Sequence, residues 1–258
     1  MTITFYKYQG TGNDFVIIDN RKGDIELTVN QVKHLCDRRF GIGADGLMLL
    51  QTLPGYDFEM VYYNADGRES SMCGNGGRCL TKFAYDMGMH QDKFRFLAVD
   101  GEHEAAMADH GWINLKMKNV HTIENRHGDA VLDTGSPHYV KSVPDVMGLD
   151  VFEEGRGIRY SKDYQEAGIN VNFVENHGDR IIVRTYERGV EDETFSCGTG
   201  VTAAALVFAH NDNGFNRVEV KTKGGNLAVE FDKTGEQRFE NIWLCGPATF
   251  VYKGIINI

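Results

Sequence analysis

The sequence predicts an α/β chain of the α+β type, with two pseudo-symmetric domains, each a curled, mostly antiparallel sheet around a central buried helix. Three observations carry that expectation. Strand-like runs outnumber helical ones along the whole chain. Two glycine-rich cysteine motifs, Cys73-Gly74-Asn75-Gly76 and Cys197-Gly198-Thr199-Gly200, lie 124 residues apart in a chain of 258. The run Val201-Thr202-Ala203-Ala204-Ala205-Leu206-Val207-Phe208-Ala209 has almost no polar face, so this helix should be enclosed on all sides by its own domain.

Taken in order, residues 5–8 and 15–19 read as strands joined by Gly10-Thr11-Gly12-Asn13-Asp14. The G-x-G there is not a dinucleotide fingerprint, because the β-like run Phe15-Val16-Ile17-Ile18 follows it instead of a helix. Thr28 and Gln31 have capping-box spacing at the start of a helix whose inner face carries Val32, Leu35 and Cys36. A loop, Gly41 to Gly46, leads into an apolar strand over residues 47–50. Another strand over 58–63 closes at the turn Asn64-Ala65-Asp66-Gly67. Leu80, Phe83, Ala84 and Met87 form a helical stripe that stops at Gly88, and strands at 94–99, 103–108 and 112–117 make a meander. The cysteine spacing of 124 also carries Phe15-Val16 onto Tyr139-Val140 and residues 60–63 onto 184–187. A unit this long is a duplicated domain, not a solenoid repeat, with the boundary near residues 121–127.

A net charge of −10 argues against nucleic acid or an anionic membrane as the main partner. No run of 18 apolar residues occurs, and the N-terminus lacks the basic and apolar segments of a signal peptide, so a cytoplasmic protein is expected. The five cysteines, Cys36, Cys73, Cys79, Cys197 and Cys245, are widely spaced and include no C-x-x-C pair. That pattern is neither a disulfide framework nor a zinc site, and no metal is expected.

The two cysteine motifs carry the chemistry. A cysteine at a helix start sits at the positive end of the dipole, which favours thiolate, and the same helix end can hold a carboxylate. Cysteine titrates at about pH 8.5, so both its acid and its base forms are accessible near neutrality. Two thiols flanking a cleft between pseudo-symmetric halves suit inversion at an α-carbon, one removing a proton and the other delivering one. Taken singly, each cysteine reads better as a small core residue at a helix start, and it is the pair at symmetric glycine-rich positions that reverses this balance. Cys36, Cys79 and Cys245 are read as structural.

These residues resemble the diaminopimelate epimerase family. The likeness is carried by Gly10-Thr11-Gly12-Asn13-Asp14-Phe15, by Asn64-Ala65-Asp66-Gly67, by the two cysteine motifs and by Glu187-Arg188-Gly189-Val190-Glu191-Asp192-Glu193-Thr194. The resemblance implies a cofactor-independent isomerase in which Cys73 and Cys197 interconvert LL- and meso-diaminopimelate on the bacterial route to lysine and peptidoglycan. It implies substrate contacts at Asn13, Asn64, Gly74, Asn75, Asn170, Glu187, Arg188, Gly198 and Thr199, and places His138 and Glu187 where the family tunes its two thiols. It also implies an epimerase domain over 1–121, a second over 122–247, and a C-terminal strand, about 248–258, returning to the first. The partner expected is a small-molecule substrate, with no nucleic acid and no membrane; a homodimer is compatible with the reading. Ser136 departs from the asparagine that the family often has there, and Gly46 from a glutamine of some members. Two other readings stay open: a proline racemase-like enzyme of the same fold, and a non-catalytic module that binds an amino acid.

Overall fold

The computed structural model describes all residues, Met1–Ile258, and divides into two compact units, Met1–Leu115 with Gly246–Ile258, and Lys116–Cys245. The boundary falls a few residues before the expected 121. Residues 117–120 are held by the second unit, through Met117 N–H to the Ile242 carbonyl at 2.8 Å and a reciprocal Val120–Phe239 pair at 3.0 and 2.8 Å.

In the first unit, β1 (Thr2–Gly10) and β2 (Asn13–Asp19) form a hairpin, and α1 (Val29–Cys36) carries the chain to β3 (Gly46–Gln51), parallel to β2. The Thr28–Gln31 capping box is formed, and α1 buries Val32, Leu35 and Cys36. An antiparallel strand, β4 (Phe58–Asn64), precedes α2 (Gly74–Asp86), after which β5 (Lys93–Ala98) lies parallel to β4. β6 (Gly101–Met107) and β7 (Trp112–Lys116) complete the meander. The C-terminal strand, Thr249–Asn257, pairs antiparallel with β1. α2 packs against β1, β2, β3, β6 and that C-terminal strand, and ten of its thirteen residues are buried.

The second unit repeats the sequence of connections. After the short β8 (Glu124–Arg126), β9 (Asp129–Asp133) and β10 (Pro137–Ser142) are antiparallel. α3 (Val151–Arg159) leads to β11 (Asn170–Asn176), parallel to β10, and β12 (Arg180–Glu187) runs antiparallel to β11. The three-residue β13 (Asp192–Thr194) precedes α4 (Gly198–Val207), and β14 (Gly214–Thr222) then lies parallel to β12. β15 (Gly225–Gly235) and β16 (Arg238–Pro247) close the meander, and the C-terminal strand of the first unit is β17. α4 touches β9, β10, β11, β12, β14 and β15, as an all-apolar helix must if nothing else covers it.

Antiparallel, parallel, antiparallel, parallel, antiparallel, antiparallel is thus the order of pairings in both units. Register sharpens the duplication and corrects the single spacing. Phe15 faces Gly46 in one unit and His138 faces Asn170 in the other. Leu47–Tyr63 likewise corresponds to Val171–Tyr186. α2/α4 and β3/β11 keep the spacing of 124, while β2/β10 and β4/β12 are one residue closer. His138, not Tyr139, is therefore the counterpart of Phe15, and Glu187 is that of Asn64. The one residue is recovered in the segment between β12 and Cys197.

Gly46 shows how tight the first unit is. A Cβ there would lie 2.5 Å from the Tyr62 ring and 2.7 Å from the Tyr63 carbonyl. Gly46→Ala should therefore cost roughly 1–3 kcal/mol through overpacking. A denaturant melt showing unchanged stability would mean that Tyr62 moves freely. No helix of the chain is long and apolar enough to cross a membrane.

Candidate active site

Cys73 is the N-cap of α2, with extended backbone (φ −93°, ψ 130°). Helix starts carry N–H groups with no acceptor inside the helix, and Gly74-Asn75-Gly76-Gly77 keeps that end narrow. The β1–β2 turn comes up beside it, with Thr11 and Gly12 both at positive φ (50° and 85°). That turn presents Asn13, whose Oδ1 accepts from the Cys73 thiol at 3.5 Å and from Asn75 Nδ2 at 3.3 Å. Asn13 Nδ2 donates to Asp45 Oδ2 at 2.6 Å. A carboxylate can only accept, so Asp45 decides which end of the Asn13 amide meets the thiol. Asn75 is oriented in the same way, its Oδ1 accepting from the fully buried Arg78 at 3.0 Å. Arg78 also donates to the Gly74 carbonyl and to Thr11 Oγ1.

A charge cluster fixes the turn from below. Asp14 pairs with the buried Lys7 at 2.5 Å and with Arg38 at 2.6 Å; Arg38 reaches Asp45 at 2.7 Å, and Lys7 also donates to the Gly43 carbonyl. Burial pushes the Asp14 carboxyl up, but bonds from Arg38 and Lys7 overcome it and hold it at about 2, below its ordinary 3.8. A depressed carboxyl contributes stability above its unfolded value and loses it as pH falls toward the folded one. Stability should thus decline from about pH 4 down to pH 2, and Asp14→Asn should flatten that part of the profile. An acid-unfolding curve of Asp14→Asn with the wild-type slope would show that other carboxylates control it.

Cys197 is the N-cap of α4, with its Sγ 3.5 Å from Thr199 Oγ1, and Thr134 Oγ1 donates to the Thr199 carbonyl at 2.8 Å. Asn170 is the hub of this half. Its Nδ2 donates to Ser136 Oγ (2.9 Å) and the Pro137 carbonyl (3.0 Å), and its Oδ1 accepts from the Arg188 backbone N–H (2.9 Å). The Arg188 guanidinium donates to the Ala167 carbonyl (3.1 Å) and to Ser136 Oγ (3.2 Å), and no acidic side chain pairs with it. Glu187 Oε2 accepts from Thr194 Oγ1 at 2.9 Å.

Within the first unit the structure joins Cys73, Gly74, Asn75 and Asn13. Asn64 stands apart: its backbone closes the turn with Arg68 and Gly67, and its side chain is exposed outside that network. Within the second it joins Cys197, Gly198 and Thr199 at the helix start, and Asn170 to Arg188. His138 is wholly buried between β9 and β11. Burial pushes the Cys36 and Cys79 thiols up to about 12, so neither is available as thiolate near neutrality. Ser136, where the motif departed from the family, proves to be the junction of Asn170 and Arg188. Gly46 has no room for a side chain. Asp45, Arg78 and Thr194 were missed from the sequence. Arg78 alone had a signal, a cation set between Gly76-Gly77 and Cys79-Leu80.

The chain is two copies of one fold, each with a cysteine at the N-cap of its buried helix, and solved structures share that fold. The chain matches a phenazine biosynthesis protein of the PhzF family from Bacillus anthracis at TM-score 0.79, 16% identity and full coverage of both chains. It matches a hydroxyproline epimerase from Agrobacterium vitis at TM-score 0.71 and 14% identity, covering 99% of this chain and 92% of that one. Sequence narrows the class. The diaminopimelate epimerase family model matches residues 5–123 and 130–251. The diaminopimelate epimerase of Flavobacterium psychrophilum is 48% identical over 97% of this chain and 99% of its own. That of Chlorobaculum tepidum is 43% identical over 96% and 99%. The chain belongs to the diaminopimelate epimerase family and is an isomerase.

Proposed function

We propose that the protein interconverts LL- and meso-diaminopimelate without a cofactor, through Cys73 and Cys197 as paired base and acid at the α-carbon. The observation that supports this most is the equivalence of the two cysteines, each the N-cap of the buried helix of one copy of a duplicated fold. Inversion needs a base on one face of the carbon and an acid on the other, and a duplicated scaffold supplies one thiol for each. The helix starts at Gly74 and Gly198 would hold the reacting carboxylate and the charge that spreads onto it as the proton leaves. Arg188, held by neutral oxygens alone, is left with charge to offer the distal carboxylate. Asn13, Asn64, Asn75, Asn170 and Thr199 would supply amide and hydroxyl contacts, with His138 and Glu187 tuning the thiols. The proposed setting is the cytoplasm, with a homodimer as the assembly.

The test is incubation of LL-diaminopimelate with the protein in D₂O, without pyridoxal phosphate. Deuterium should enter the α-position as the meso form accumulates, and added pyridoxal phosphate should leave the rate unchanged. Bound substrate that never exchanges would overturn the assignment in favour of simple binding.

A further inference from the structure

The second unit carries a buried polar triad for which the first has no counterpart in kind. Asn172, in the middle of β11, is wholly buried. Its Nδ2 donates to the Tyr139 carbonyl at 3.0 Å and lies 3.1 Å from His138 Nδ1, while its Oδ1 accepts from Thr185 Oγ1 at 2.9 Å. A peptide carbonyl can only accept, so the Tyr139 bond fixes which end of the amide is nitrogen. The other hydrogen of that nitrogen then points at His138 Nδ1, which must present a lone pair. In a neutral imidazole the proton is therefore on Nε2. His138 is kept neutral: burial lowers its pKa to about 3, against the pull of Asp133 and with the push of Arg188. Its Nε2 is buried and finds no acceptor in the chain. Such an orphan donor is destabilising, and a fold retains one when something else is to be bound there.

The duplication supplies a control. The positions equivalent to His138, Asn172 and Thr185 are Phe15, Met48 and Tyr62. There Phe15 and Tyr62 meet edge to face, with ring centroids 6.0 Å apart. A Cβ on Gly76 would lie 3.3 Å from Met48 Sδ, and one on Gly200 would lie 2.2 Å from Asn172 Oδ1. The same pocket behind the helix start is apolar in one unit and polar in the other. All three members change together, as expected if the asparagine and threonine are there for the histidine.

We propose that Thr185 and Asn172 are positioning residues that lock His138 as its neutral Nε2–H tautomer, so that the histidine serves the reaction as a hydrogen-bond donor and not as a base. The role at the reaction rests on the function proposed above; the tautomer does not. As a donor, Nε2–H can stabilise an anion, either a thiolate or a developing carboxylate charge, without exchanging its proton. Gly200 belongs to the device, since any side chain there displaces the asparagine amide.

The experiment is a long-range ¹H–¹⁵N correlation spectrum of the protein with ¹⁵N-labelled histidine, His138 being assigned by its loss in His138→Gln. The wild-type protein should show His138 with a protonated Nε2 and an unprotonated Nδ1, unchanged between about pH 5 and 8. Asn172→Asp keeps the shape but replaces the donor by an acceptor, and it should move the proton to Nδ1. Thr185→Val should leave the wild-type pattern weakened toward a tautomer mixture. A wild-type His138 that titrates in this range or carries its proton on Nδ1, or an Asn172→Asp protein that keeps Nε2–H, would overturn the relay. The deuteration assay separates the two readings. Correct tautomers without exchange reject the epimerase function alone, whereas exchange with the wrong tautomer rejects the relay alone.

Discussion

Cys73→Ala and Cys197→Ala should each abolish epimerisation of LL-diaminopimelate. Each removes the acid or base for one face, a contribution of roughly 10²–10⁴-fold. The two variants should also fold, because Cys73 is only partly buried and neither side chain caps its helix. A finer expectation follows from the division of labour. An enzyme lacking only the acid can still carry out the first half of the reaction, so the variants should differ in washout of α-deuterium from the LL and meso substrates. Near-wild-type turnover in either single variant would remove the two-base mechanism. Cys79→Ala serves as the control: its thiol is buried, its pKa is raised to about 12, and the substitution should alter stability and not rate.

The strands, the α1 capping box and the duplication were all legible because they are written as periodicity, spacing and turn chemistry. Residues 142–183 were largely not. α3 hides behind Gly155 and Gly157, which break helical propensity, yet a Cβ on Gly155 would lie 2.4 Å from Tyr186, so the helix can approach the sheet only with glycine there. The cysteines were legible as a pair because their motifs share the pattern Cys-Gly-x-Gly. Their surroundings were not, since Asp45, Ser136 and Thr194 act through side-chain hydrogen bonds that leave no pattern in the chain. Asn172 did leave a trace, a lone amide in the otherwise apolar run Val171-Asn172-Phe173-Val174, and buried amides in strands need a partner. The uniform spacing of 124 hid it, because it placed Tyr139 where His138 belongs.

Arg188→Ala should lower kcat/KM for diaminopimelate by about ten- to a hundredfold. The guanidinium is largely exposed in the ligand-free chain, so the loss of a fully buried ion pair is too large a reference. A charge-assisted hydrogen bond to a carboxylate, about 1.5–3 kcal/mol, is the better one. The side chain is already arranged for the task. The Ala167 carbonyl and Ser136 Oγ hold Nη1 and Nη2, the Asn170 amide holds its backbone, and a Cβ on Gly168 would lie 2.5 Å from its Cδ. Little ordering is then left to be done on binding. Arg188→Lys should recover only part of the loss, because an ammonium cannot present two parallel N–H donors to one carboxylate. Ser136→Ala frees one arm of the fork and should raise KM more than it lowers kcat. Lysine, which lacks the second carboxylate, should be a poor substrate for the wild type, and Arg188→Ala should narrow the gap between the two. An Arg188→Ala enzyme with unchanged kcat/KM, or wild-type turnover of proline comparable to that of diaminopimelate, would remove the distal-carboxylate role while leaving the two-thiol chemistry intact.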